Sequence, residues 1–228
     1  SRRQRQMCIR DRADTATSYF GGALIDAFDI IGWDPRGTGE STPFVDCIDN
    51  YDEYFAVDPT PQTAAEKTAL IDSTRLFSEE CKKNSGEILP YISTNNTARD
   101  MDAIRAALGE DKITYFGFSY GSELGATWVT MFPTTVRAAV LDGATDPNAD
   151  YMQSGLDQAK GFDSQFNEFL KQCSADKTCA FHNNGDAEGA YDKLIEKIDS
   201  QPLVVSKDRA AVNQAVAFTA ISEAMYSS

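Results

Sequence analysis

The stretch Ile113-Thr-Tyr-Phe-Gly-Phe-Ser-Tyr-Gly-Ser-Glu-Leu-Gly125 decides the fold. Ile113 to Phe116 are β-branched or aromatic and read as a buried strand. Small residues from about Tyr120 to Met131 read as a helix, which Pro133 ends. A strand that passes at once into a helix must bend sharply. Gly117 and Gly121, on either side of Ser119, remove the Cβ atoms that would clash in that bend. The bend lifts the Ser119 hydroxyl clear of the backbone. It also sets the hydroxyl at a helix N-terminus, where free N–H groups stabilise an oxyanion. Ser119 is therefore the candidate nucleophile, and the N–H of Tyr120 is the candidate oxyanion-hole donor. With Gly and Ser each about 7% of residues, Gly-x-Ser-x-Gly arises by chance about 0.08 times in a chain this long. The strand before it and the helix after it carry the rest of the argument against an idle serine in a glycine-rich turn. Gly125, one helical turn beyond Gly121, lets the helix pack closely on the sheet.

Working outward, Phe28-Asp-Ile-Ile-Gly-Trp33 reads as a second buried strand, closed by a tight turn at Asp34-Pro35-Arg36-Gly37. Asp34 and Arg36 are close enough to hold that turn by charge pairing, a structural role. Thr63 to Lys83 is helical in character. Thr97 can cap a helix that presents Met101, Ile104 and Leu108 on one face and stops at Gly109. Val136 to Leu141 is a further strand. The order strand, long excursion, helix, strand, helix, strand implies parallel strands joined by crossovers. After Pro147 the chain turns helical, over Gly155–Cys173, Ala187–Ile198 and Val212–Tyr226, with one short strand near Leu203–Val205. The expected fold is α/β, a mostly parallel sheet with a helical cap over its carboxyl edge, truncated at both ends. Residues 13–148 form a partial core and residues 149–228 an incomplete cap.

The 228 residues carry a net charge of −14, with 42% hydrophobic residues. Such acidity repels nucleic acid, so no nucleic-acid partner is expected. No apolar run approaches the roughly 18–20 residues that span a bilayer. Ser1 to Arg12 stand apart: five Arg against one Asp give a local charge of +4, so the remainder carries −18. This segment lacks the apolar core of a signal peptide. It resembles sequencing-adaptor read-through and is expected to be non-native. The five cysteines are Cys8, Cys47, Cys81, Cys173 and Cys179. The last four can pair in three ways. Five residues of a polar stretch, Ser-Ala-Asp-Lys-Thr, separate Cys173 from Cys179 and could close a small disulfide loop, and Cys47 with Cys81 would close a longer one. Without C-x-x-C and with one histidine, His182, neither a metal site nor a cofactor is expected.

Four stretches together resemble the tripeptidyl aminopeptidases of actinobacteria, exported relatives of proline iminopeptidase within the α/β-hydrolases. They are Phe28-Asp-Ile-Ile-Gly-Trp-Asp-Pro-Arg-Gly-Thr-Gly-Glu-Ser41, Asn96-Thr-Ala-Arg-Asp-Met-Asp102, Tyr115-Phe-Gly-Phe-Ser-Tyr-Gly-Ser-Glu-Leu-Gly125 and Val140-Leu-Asp-Gly143. The resemblance covers residues 26–226. It implies a Ser-Asp-His triad with Ser119 as nucleophile. It also implies release of short peptides from free N-termini by a monomer, secreted or held at the cell envelope, with the cysteines paired 47–81 and 173–179.

Two family features are lacking. A glycine-rich loop upstream of the Phe28 strand, source of a second oxyanion donor, has only Gly21-Gly22 in its place. The triad Asp and His are expected beyond the cap. His182, in Cys-Ala-Phe-His-Asn-Asn-Gly, reads as a surface residue, and Asp142 and Asp146 precede the cap and read as structural. Without its base a serine is a weak nucleophile, so this fragment is expected to be inactive. Asp150, Asp157, Glu168 and Glu188 offer acidic partners for a substrate ammonium. A carboxylesterase acting on small acyl esters and a non-catalytic remnant of the fold remain as alternatives.

Overall fold

The computed structural model describes residues 4–9 by their backbone, and residues 20–144, 146 and 150–225 in full. Residues 1–3 and 10–12, Pro147 and Tyr226 therefore lie outside the described residues. Two compact units are present. One combines the chain up to Cys47 with the stretch from Cys81 to residue 149; the other combines Ile48–Glu80 with the chain from Asp150 on.

The first unit is built on a four-stranded parallel sheet of order β2-β1-β3-β4, with β1 Gln4–Ile9, β2 Phe28–Trp33, β3 Ile113–Phe118 and β4 Val136–Asp142. β1 runs beside β2 from Gln4 opposite Phe28 to Ile9 opposite Trp33. It meets β3 at Gln6 opposite Thr114 and Met7 opposite Tyr115. The segment expected to be non-native thus supplies the strand between β2 and β3. Short helix α1, Gly22–Ala27, leads into β2.

Alternation along β3 sends Ile113 and Tyr115 to one face and Phe116 to the other. On the first face Ile113 and Tyr115 join Ala98, Met101, Leu124 and Trp128 in a buried cluster. Trp33, Ile104, Val136 and Leu141 pack around it. On the other face Phe116 packs against Phe20, edge to face with ring centroids 5.4 Å apart. Sheet strands covered on both faces are the arrangement that βαβ connection produces.

The helix expected to start at Thr97 begins earlier, as α4, Thr94–Ala107. Its N-cap is Ser93, whose hydroxyl accepts the Asn96 N–H. Thr97 is buried inside the helix instead. At the other end Gly109 adopts φ +72°, and its N–H and that of Glu110 close back onto Ala106 and Arg105, as a glycine-terminated helix does. α5, Tyr120–Met131, follows β3 directly.

The second unit is helical. It holds α2, Tyr51–Phe55; most of α3, Ala64–Ser85, up to Glu80; α6, Tyr151–Ala175; α7, Ala187–Ser200; and α8, Gln214–Ala224. Side chains that cap helices here include Asn50, Thr63, Asp150, Asp186 and Asn213. Leu170, Cys173 and Ala187 are its buried cluster, with Phe166, Cys179 and Tyr191 against it. The strand expected near Leu203–Val205 is a single antiparallel bridge between Leu203 and Val212. Arg209 pairs with Asp52, and the Asn213 amide donates to the Ala56 carbonyl at 2.6 Å.

Both disulfides form, Cys47–Cys81 in the first unit and Cys173–Cys179 in the second. Among the described residues no helix is long and apolar enough to cross a membrane.

Candidate active site

Ser119 stands between the last residue of β3, Phe118, and the first of α5, Tyr120. Its dihedrals are φ 50°, ψ −121°. These belong to the first central position of a type II′ turn, where glycine dominates. A serine there is strained, and such strain persists only where the surroundings over-determine it.

The surroundings do so with four hydrogen bonds. The Ser119 N–H donates to the Asp142 carbonyl at 2.8 Å, tying the turn to the end of β4. The Ser119 carbonyl accepts the Ser122 N–H at 2.8 Å and the Ser122 hydroxyl at 2.6 Å. That hydroxyl also lies 3.1 Å from the Gly143 carbonyl. Ser122 is 1% exposed, so its hydroxyl must find partners inside the protein. The fourth bond runs from the buried Tyr115 hydroxyl to the Gly121 carbonyl at 2.6 Å. The Ser119 side chain makes no capping hydrogen bond to α5, so capping does not consume its hydroxyl.

The glycines act as the spacing implied. A Cβ on Gly117 would run into the Gly121 carbonyl, and one on Gly125 would meet the Tyr115 ring and Leu141 Cδ2. Tyr120, half exposed, has its hydroxyl 3.1 Å from Thr94 Oγ1 at the start of α4. Two helix N-termini, those of α4 and α5, are thereby linked beside the serine. A cavity of about 290 Å³ opens at this point, lined by Trp33, Pro35, Phe116, Phe118, Ser119 and Leu124 among others, none of them charged. Such a cavity shields a developing oxyanion from water and strengthens N–H donors aimed at it.

The loop after β2 is held differently from the sequence expectation. Arg36 does not pair with Asp34. Its guanidinium makes two bonds to Asp100, Nε at 2.7 Å and Nη2 at 2.6 Å, and a third to the Tyr91 carbonyl at 3.2 Å. Two parallel bonds to one carboxylate are the pairing that the planar guanidinium fork favours. Hydrogen bonding to Asp100 pushes the Arg36 guanidinium above its ordinary value. Asp34 serves the loop's own backbone: its carboxylate accepts the Glu40 N–H at 2.9 Å and its carbonyl the Ser41 hydroxyl at 2.6 Å. Two of the stretches singled out in the sequence, 28–41 and 96–102, therefore meet at Arg36–Asp100.

The remaining candidates are dispersed. His182 lies in the second unit with Nδ1 3.3 Å from the Cys173 carbonyl. Asp142 closes β4 and touches the serine through its backbone carbonyl. Gly21 and Gly22 start α1. Of the cap acids, Asp150 caps α6, Asp157 takes Gln153 and Lys160, and Glu168 takes Gln172 and Lys171. Hydrogen bonds from Gln153, then from Lys160, hold the Asp157 carboxyl below its usual range. Glu188 sits in the first turn of α7. Among the described residues no group of three His, Cys, Asp or Glu could hold a metal ion. Sequence reasoning missed Tyr115, Ser122 and Thr94. The signal for the first was an aromatic two residues before Gly117, on the face where Gly121 and Gly125 leave space.

Comparison with known proteins shows the family. Residues 19–205 match the family model described as the alpha/beta hydrolase fold. The chain is 42% identical over 196 residues to the tripeptidyl aminopeptidase of Streptomyces coelicolor, covering 83% of this chain and 36% of that protein. It is 41% identical over 177 residues to serine protease Hip1 of Mycobacterium tuberculosis, covering 76% of this chain and 34% of the relative. It is also 35% identical over 208 residues to carboxylesterase B of Mycobacterium tuberculosis, covering 90% and 40%. The chain thus spans little more than a third of the length of these curated relatives. With the family model matched across most of its residues, this chain belongs to the α/β-hydrolase fold family, and within it is similar to the tripeptidyl aminopeptidases of actinobacteria.

Proposed function

We propose that the protein to which these 228 residues belong is a monomeric serine peptidase acting on peptides with a free N-terminus, with Ser119 as nucleophile. The observation that carries this reading is the serine held at positive φ on the junction of β3 and α5. That placement supports the reading of this turn as a nucleophile elbow. Ser119 Oγ attacks the scissile carbonyl carbon and gives its proton to a base. The carbonyl oxygen becomes an oxyanion that the Tyr120 N–H receives. The amine leaves after taking a proton from the same base, and water then hydrolyses the acyl-enzyme by the reverse sequence. The printed names of the Streptomyces and Mycobacterium relatives, tripeptidyl aminopeptidase and serine protease, support the substrate class. Two disulfides support an oxidising compartment, outside the cell or in its envelope.

The 228 residues by themselves are expected to be essentially inactive. Their single histidine, His182, is turned to the Cys173 carbonyl within the second unit. Loss of a triad member removes several orders of magnitude in rate. Incubation of the 228-residue chain with a fluorophosphonate probe, beside a Ser119→Ala control, tests this. Weak labelling is expected, and strong Ser119-dependent labelling would show that a working base is present. In the whole protein, labelling should be strong and should vanish in Ser119→Ala; labelling that survives that substitution overturns the nucleophile.

A second reading, a carboxylesterase, is favoured by the 35% identity to carboxylesterase B. Acyl transfer from an ester uses the same serine. Turnover by the whole protein of a tripeptide anilide, its N-acetylated form and a nitrophenyl ester separates the two. The peptidase reading expects the free-amine anilide to be cleaved well and the acetylated one poorly. An ester cleaved alone supports the esterase.

A further inference from the structure

Three glycines around Ser119 share one neighbour. A Cβ on Gly117 would lie 2.6 Å from Tyr115 Cε1, one on Gly121 would lie 3.4 Å from the Tyr115 hydroxyl, and one on Gly125 would collide with the same ring edge. The ring is therefore seated in a socket that exists because three positions, one on β3 and two on α5, lack side chains. Tyr115 is 4% exposed. Its hydroxyl donates to the Gly121 carbonyl at 2.6 Å. Behind the ring stands Trp128, with centroids 6.0 Å apart, itself fully buried. The ring cannot withdraw from the turn without displacing the core.

We propose that Tyr115 is the positioning residue of the Ser119 turn: its ring fills the glycine socket, and its hydroxyl fixes the peptide that follows Gly121 and with it the first turn of α5. This rests on the reading of Ser119 as nucleophile. The logic is geometric. Ser119 and the Tyr120 N–H must be aimed together, because the hydroxyl attacks one side of a carbonyl whose oxygen the N–H receives. A few tenths of an ångström at the donor matters more to the transition state than to substrate binding. The Gly121 carbonyl is two residues past Ser119, inside the first helical turn, where a helix end frays most readily. A buried hydroxyl pinning that carbonyl opposes fraying where aim is set. It also explains why the glycines extend to Gly125, one turn beyond what the bend itself requires.

The test uses Tyr115→Phe, which keeps the ring and removes the bond. In the whole protein, kcat for the cleaved substrate is expected to fall about tenfold while KM stays within twofold. In the 228-residue chain, amide exchange over 117–125 is expected to quicken about tenfold while exchange over 98–104, in the same core, changes less than twofold. Equal acceleration of both segments, or an unchanged kcat, overturns the proposal. A second measurement probes the socket. Gly125→Ala lowers the melting temperature, and its effect should shrink by at least half when Tyr115→Val has removed the ring; the residue of the effect belongs to Leu141, 2.7 Å from the added Cβ. Equal drops in both backgrounds overturn the socket. Fluorophosphonate labelling keeps the two ideas apart. If exchange responds as expected but Ser119→Ala still labels, the positioning of the turn stands and the nucleophile falls.

Discussion

Among the described residues two turns hold non-glycine residues at positive φ, and they do so for opposite reasons. In the second unit, Asn183 and Asn184 adopt φ 41° and 58° and are followed by Gly185 at φ 94°. Asparagine visits the left-handed region readily, and glycine has no Cβ to clash there. The turn is also bonded within itself: Gly185 N–H to the His182 carbonyl at 2.7 Å, and the Asn183 amide to the Asp186 carbonyl at 2.9 Å. In the first unit, Ser119 adopts φ 50° although its own preference is against it. Its partners come from the end of β4, from Ser122 and, through Gly121, from Tyr115. The first turn is encoded locally, the second by the tertiary structure. Strain that local sequence would not choose, held by distant groups, marks a place where geometry serves something other than stability.

The strongest way to break that comparison is to remove the core behind the serine. Trp128 is fully buried beside Tyr115. Trp128→Ala should cost about 3–5 kcal/mol, the range for large aromatic deletions. Trp128→Phe should cost markedly less, because it keeps a large ring in the core and the indole N–H it removes is a buried donor with no hydrogen-bond partner among the described residues. Under native conditions, Trp128→Ala should raise amide exchange over 117–125 and leave 182–186 nearly unchanged. Parallel acceleration at 182–186 would show that the asparagine turn is not locally encoded after all.

The same division explains what was legible in the sequence. Phe28–Trp33 and Tyr120–Met131 read out to the residue because composition, glycine and proline mark their ends locally. The cap of α4 stands four residues before the one the sequence suggests. Thr97 is a good cap by type, but Ser93 meets the chain first and its hydroxyl reaches the Asn96 N–H; only packing reveals that Thr97 is inside. The partner of Arg36 could not be read at all, since Asp100 is 64 residues away and Asp34 was nearer in sequence. Ser119 is visible because Gly-x-Ser-x-Gly is a short, local pattern. Tyr115 is not, because its role lies in the absence of three side chains, which a sequence displays only as glycines with separate explanations.

A smaller effect sharpens the contrast at the turns themselves. Replacing a strained residue with glycine relieves the strain and adds the entropy of a more flexible unfolded chain. At Ser119 the strain should win. Ser119→Gly is expected to stabilise the protein by about 1 kcal/mol relative to wild type while abolishing fluorophosphonate labelling of the whole protein. Ser119→Ala keeps the unfavourable φ and should gain nothing. At Asn184 there is little strain to relieve, so Asn184→Gly should stay within about 0.5 kcal/mol. Thermal melts of the three variants decide it, and equal gains at Ser119 and Asn184 would erase the distinction between the turns.

The smallest effect separates the turns by pH. Next to the asparagine turn, Asp176 accepts the Thr178 N–H at 2.8 Å and the Thr178 hydroxyl at 2.7 Å. These two bonds, with the nearby His182 as a lesser influence, hold its carboxyl below the usual range. A carboxyl depressed in the folded state contributes stability above its unfolded value, about 3.9, and loses it as pH falls through the folded value. The gap in melting temperature between wild type and Asp176→Asn should therefore be open at pH 7 and close below about pH 4. The Ser119 turn is held by carbonyls, amides and hydroxyls, none of which titrates in that window. The gain from Ser119→Gly should accordingly be the same at pH 7 and pH 3. A Ser119→Gly gain that fades in acid would mean that a carboxylate, and not the backbone geometry alone, holds the serine where it is.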